Sequence, residues 1–262
     1  RAFGAGSLAA VAAGAFGGQR VLARATPSLS EQDLIYMPAS VQLDLFRARQ
    51  LSPVEVLEAQ IARHEAVNSK VNCTTYTFFE KARKEAKVSE ARWMRGTARP
   101  LEGITCALKD EHHEAGMKVT LGSIMEKDNV KDYSDELTVK LKAAGCALPT
   151  CRPRCRSFIC TASHSRVCGG LPGTLGTSST VLEDLPGGSG AALSGGMTTI
   201  ATGSDMGGSV RIPSAFNGLY GFKPPFGRIS TEIPLSVFSG TGPMARSFAD
   251  MAMMQNALSG QT

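Results

Sequence analysis

Residues 40–49 and 53–67 repeat apolar positions at helical spacing, the second stretch through Val54, Val56, Leu57 and Ile61. Ser52-Pro53-Val54-Glu55 stands in front of it and offers a cap, a proline for the first turn and an acid. Two surface helices are predicted there. Residues 77–95 alternate Glu with Lys or Arg along one face, which predicts a third, solvated helix that serves as scaffold and not as a basic site. The period then changes. Residues 103–108, GITCAL, form a short unbroken apolar run, as a buried strand does, and residues 197–202 read as another. Residues 148–184 keep no period of either kind, and the first 26 residues are a weakly apolar Gly/Ala stretch unlike the rest of the chain.

Composition sharpens this picture. A chain of 262 residues that is 42% hydrophobic and 19% charged can bury a sizeable core. No run approaches the ~18 unbroken apolar residues of a membrane span, so no membrane partner is expected. The net charge of +5 comes mostly from residues 146–182, which hold Arg152, Arg154, Arg156 and Arg166 with no Lys, Asp or Glu. The excess is local, and no nucleic-acid face is implied. Five of the seven cysteines lie in the same stretch: Cys146, Cys151, Cys155, Cys160 and Cys168. Their spacing does not match a zinc site, and an odd count leaves one thiol over in any disulfide scheme. The abrupt change of composition at both edges suggests a stretch read in a shifted frame. At the start, Arg1 heads the apolar run, and Leu22-Ala23-Arg24-Ala25 offers the small residues that signal peptidase reads. Residues 1–26 therefore look like the remnant of an export signal, of the twin-arginine kind, and residues 27–262 like the folded part.

Chemistry concentrates in two places. The first is LEGITCALKDEHHEAGMKVTLGS (101–123), where Lys109 ends the apolar strand. A lysine held in a dry pocket loses its proton more easily and can act as a base. His112 and His113 follow without metal spacing and are expected in a solvated turn. The second is LPGGSGAALSGGMTTIATGSDMGGSVRIPSAFNGLYGFKPPFG (185–227), in which a serine twice follows two glycines, at Ser189 and Ser209. Such glycines let backbone N–H groups converge on an anion beside the serine. No P-loop, dinucleotide fingerprint, nucleophile elbow or S-x-x-K occurs, and no histidine follows Ser165.

These two segments resemble the amidase signature hydrolases. GSDMGGSVRIPSAFNGLYGFKPPFGR matches the family's signature almost residue for residue, and residues 103–123 resemble its lysine motif. The resemblance implies a three-layer α/β/α sandwich with a mixed sheet, incomplete at its C-terminal end. It also implies amide hydrolysis through an acyl-enzyme. Ser209 would be the nucleophile and Lys109 the final proton acceptor. Ser189 would be the bridging serine in a cis peptide, and Met206, Gly207 and Gly208 would join Ser209 in the oxyanion hole. No metal or organic cofactor is implied; the partner is a small amide, and a homodimer is allowed. The family pattern before the nucleophile is longer than Gly187-Gly188-Ser189-Gly190-Ala191 by four residues, so Ser189 fits either the bridging serine or the motif's last serine. The alternative readings are a catalytically inactive scaffold and a glutamine amidase like the one in tRNA-dependent amidotransferases.

Overall fold

The computed structural model describes residues 30–147, 151–153, 187–230 and 237–259. The leader at 1–26 and all but residues 151–153 of the atypical stretch at 148–184 lie outside them.

Three helices open the described chain: α1 (Glu31–Tyr36), α2 (Ala39–Arg47) and α3 (Pro53–Val71). At α3 the expected cap forms. Ser52 Oγ accepts from Val54 N at 3.1 Å, and Glu55 Oε2 accepts from Ser52 N at 2.8 Å. The helix runs one turn beyond the predicted end because Val71 is buried, and Asn72, at φ 53°, closes it in the left-handed region. These helices are less superficial than their sequence suggests, since Phe46, Val56 and Leu57 are fully buried. The α2 N-terminus has no side-chain cap of its own. Asp250, 211 positions away from Ala39, accepts from Ala39 N at 2.9 Å and Ser40 N at 3.0 Å and supplies the negative charge that a helix start favours.

Next come β1 (Thr74–Thr77), α4 (Phe79–Arg95), β2 (Cys106–Ala107), α5 (Glu136–Ala144) and β3 (Cys151–Pro153). The helix expected from residue 77 starts at Phe79 because residues 74–77 pair antiparallel with β3. Part of the atypical stretch is thereby structured: three of its residues form a buried strand in which Arg152 is fully enclosed. The second half contributes α6 (Gly188–Ser194), β4 (Ile200–Asp205), α7 (Arg211–Phe216), β5 (Tyr220–Gly221), β6 (Gly240–Ala245) and α8 (Phe248–Ser259).

The main sheet has the order β2-β4-β6-β5. β2 and β4 run parallel, with Cys106 opposite Ile200, while β4 and β6 pair antiparallel from Ile200 opposite Ala245 to Asp205 opposite Gly240. The sheet is therefore mixed. Alternation along each strand sorts its side chains into two cores. Cys106, Ile200 and Ala245 pack with Phe46 of α2, Leu141 of α5 and Met254 of α8. Ala107, Ala201 and Met244 pack with Leu193 of α6 and with Val210, which leads into α7. Helices thus cover both faces, and the expected three layers are present. The strand ends of β2 and β4 lie side by side, which brings the lysine segment to the glycine-rich loop.

Candidate active site

Lys109 leaves the end of β2 and does not reach water: it is only 4% exposed. Its backbone N–H donates to Thr202 Oγ1 at 2.9 Å, and its Nζ donates to Ser204 Oγ at 2.5 Å. Glu111 Oε2 lies 3.3 Å from the same nitrogen. The parallel pairing of β2 with β4 causes this, since it sets residues 202–204 beside the chain that leaves β2.

The loop that follows β4 is built around Asp205. Its carboxylate is fully buried, accepts from Gly208 N at 2.8 Å and from Val210 N at 3.3 Å, and is gripped by Arg211 through Nε at 2.8 Å and Nη2 at 2.9 Å. Burial opposes ionisation here, but the Arg211 bonds and the two-sided hold of backbone N–H groups outweigh it and keep the carboxyl well below the usual range. Ser209 stands between the two residues whose amides Asp205 holds, half-buried at the mouth of the turn. The sequence expectation for the oxyanion hole is altered at one position. Gly208 directs its single N–H to Asp205 and so serves the loop's own shape. Gly208 adopts φ +121°, and a Cβ there would stand 2.4 Å from Ile212 Cδ1, so a side chain is excluded on both counts.

Ser189 lies in the first turn of α6, 3% exposed, and donates its hydroxyl to the Thr202 carbonyl at 2.8 Å. No cis peptide occurs among the described residues. Thr202 therefore touches both partners, Lys109 through its hydroxyl and Ser189 through its carbonyl. The side chain whose hydroxyl rests on Lys109 Nζ is Ser204, a residue that sequence reasoning passed over. A signal was available: β4 continues past the predicted end at 202, and strand alternation puts Thr202 and Ser204 on one face.

His112 and His113 differ from expectation. Both are largely buried, and they share the Asp135 carboxylate, with His113 Nδ1 at 3.2 Å and His112 Nδ1 at 3.6 Å. Asp135 sits at the start of α5, far along the chain, so a local reading had no means of finding it. Desolvation opposes the charge on Asp135, but the two imidazoles and the His113 amide hold its carboxyl low. Arg152 of β3 donates to the carbonyls of Lys109 (3.4 Å) and His112 and stiffens the same turn. Cys106 and Cys146 are free thiols, and no group of three or more metal-binding side chains occurs among the described residues. Among them, no helix is long and apolar enough to cross a membrane.

The Amidase family model matches residues 55–262, which includes both site segments. The chain belongs to the amidase signature family. Two relatives are the A subunits of the glutamyl-tRNA(Gln) amidotransferases of Thioalkalivibrio sulfidiphilus and Carboxydothermus hydrogenoformans. Each is 32% identical, over 80% and 87% of this chain and 44% and 48% of the relative. Among solved structures, a bacterial aryl acylamidase of the amidase signature family is similar at TM-score 0.73 and 27% identity, over 87% of this chain and 47% of its own. The 6-aminohexanoate cyclic dimer hydrolase matches at TM-score 0.73 and 29% identity, with the same coverage. The chain thus spans about half the length of the relatives it matches.

Proposed function

We propose that this amidase signature chain hydrolyses the C–N bond of a small carboxamide through an acyl-enzyme on Ser209. The observation that carries the reading is the buried Lys109 amine, held at the end of β4 one short loop from Ser209. A buried amine beside a hydroxyl is the arrangement that lets a lysine accept a proton in place of histidine. In this reading Ser209 Oγ attacks the amide carbonyl while the N–H groups of Met206, Gly207 and Ser209 receive the developing oxyanion. Lys109 takes the proton and returns it to the departing amine. Ser189 donates to the Thr202 carbonyl and Ser204 accepts from Lys109 Nζ, and hydroxyls this near the base support a reading in which a serine carries the proton to it. The chemistry needs no cofactor.

A turnover assay of the 262-residue chain on aryl and aliphatic amides tests this. Ser209→Ala and Lys109→Ala are each expected to lower the rate by at least ~10³-fold, and activity that survives both changes refutes the assignment. A second reading, release of ammonia from glutamine for partner subunits, is supported by the amidotransferase relatives. Glutaminase turnover and a cytosolic location of the full protein would favour it; export through residues 1–26 would favour the stand-alone hydrolase.

A further inference from the structure

We infer that His112 and Asp135 are positioning residues for the active-site lysine, holding the Lys109 amine in place through Glu111. The inference rests on the reading above in taking Lys109 as the base. Its ground is a set of buried side chains that the reading leaves unused. Glu111 Oε2 lies 3.3 Å from Lys109 Nζ, Glu111 Oε1 lies 3.7 Å from His112 Nε2, and His112 Nδ1 lies 3.6 Å from Asp135 Oδ2. The four groups form one line, carboxylate to imidazole to carboxylate to amine, and none of the side chains is more than 9% exposed. An imidazole suits the middle of such a line, because two distinct nitrogens on one rigid ring hold the two carboxylates at a set separation.

The behaviour of Asp135 marks the line as more than local packing. It is the N-cap residue of α5, where an aspartate ordinarily accepts from the first free amides of its own helix. Here its side chain makes no cap bond. The carboxylate turns back instead and accepts from His113 N at 2.9 Å, while the Asp135 N–H donates to the His113 carbonyl at 3.1 Å. That reciprocal pair locks the start of α5 to the turn that carries His112. The backbone of the turn is pinned separately, by Arg152 on the Lys109 and His112 carbonyls and by Asp110, which accepts from Thr120 N at 2.9 Å. Glu114, the next acid along, is occupied by Lys81 at 2.8 Å and Lys142 at 2.7 Å. With the backbone set by those contacts, the line decides where the Glu111 carboxylate stands and, through it, where the Lys109 amine stands. A lysine needs such support, since its amine rides on a flexible four-carbon stem and a catalytic group misplaced by about 1 Å loses rate steeply.

Acetylation of the folded 262-residue chain by acetic anhydride, read at each lysine by peptide mass spectrometry, reports where the amine is held without requiring turnover. His112→Phe keeps a ring and removes both nitrogens. It is expected to raise the Lys109 rate about tenfold or more, while Lys140, 11% exposed on α5, stays within about twofold. Asp135→Asn is expected to act in the same direction, and the double variant to exceed His112→Phe by no more than about twofold, because the two residues act in series. An unchanged Lys109 rate, an equal rise at Lys140 or an additive double variant overturns the inference. If His112→Phe does not fold, Asp135→Asn alone carries the comparison of Lys109 with Lys140. Amide turnover supplies the second readout: where Lys109→Ala abolishes it, His112→Phe is expected to lower kcat about tenfold or more and to leave KM within about twofold. An unchanged kcat in His112→Phe then overturns the inference alone. Turnover that survives Lys109→Ala overturns the reading of Lys109 as base, and the positioning role in catalysis with it, whatever the acetylation shows.

Discussion

Asp205 organises the loop that carries Ser209, and replacing it with alanine removes several supports at once. The pair with Arg211 is bidentate, but the Arg211 side chain is 56% exposed, so solvent screens it and the backbone bonds decide the cost. The Gly208 N–H, bonded at 2.8 Å to a buried ionised acceptor, contributes about 2 kcal/mol. The longer contacts from the Val210 and Arg211 amides, both 3.3 Å, add about 1 kcal/mol together. Asp205→Ala should therefore destabilise the fold by roughly 3 kcal/mol, a large share of the ~5–15 kcal/mol that holds a domain together. Asp205→Asn keeps a neutral oxygen for Gly208 in place of an ionised one, so it should cost about 1 kcal/mol. Urea unfolding of the three proteins at pH 7 measures both values. An alanine cost below ~1 kcal/mol, or equal costs for the two variants, would refute the view that this carboxylate shapes the loop by accepting from its backbone. The carboxylate also has a pH signature. Its folded form titrates below its unfolded value, so its stabilisation is fully present above about pH 4 and is lost as pH falls through the folded value; the alanine variant should lack that acid-side loss.

Packing and two further titrations give three more expectations. A Cβ on Gly242 would stand 1.9 Å from the Phe222 carbonyl oxygen, a backbone atom held in the β5–β6 pairing, so Gly242→Ala should cost more than ~3 kcal/mol; a melting temperature near that of the parent would contradict this. His64 is buried against Thr74, and burial depresses its protonation below the ordinary value of 6.5. The unfolded chain then binds the proton more strongly, so stability is present above about pH 6.5 and declines as pH drops below it. His64→Gln should flatten that decline in urea midpoints taken on either side of that pH, and an unchanged slope would sink the assignment. Burial pushes the Cys146 thiol up to about 12, so peptide mapping after iodoacetamide treatment should find it unmodified in the native protein and alkylated once unfolded; modification at native conditions would show that the site is open.

Elements with local causes are legible in the order of residues alone. The Ser52 cap and Pro53 start α3 as predicted, because capping needs only residues within one turn of each other. The apolar run at 103–108 places Lys109 at a strand end, and the glycines at 207–208 announce a loop, in which Gly208 takes a positive φ, for the same reason: their steric demands are carried by single residues. The family was legible too, because residues 207–227 are a dense set of such demands. Whatever depends on residues far apart in the chain was settled by folding. Which hydroxyl meets Lys109 depends on the parallel register of β2 on β4, which no local pattern encodes. The same holds for Asp250 capping α2 from 211 positions away and for Asp135 collecting two histidines that read as solvated. Three residues of an aperiodic segment become a buried strand because β1 and the chain leaving β2 offer it unpaired hydrogen-bonding groups. Local sterics write the elements, and the satisfaction of buried polar groups across long loops writes the site.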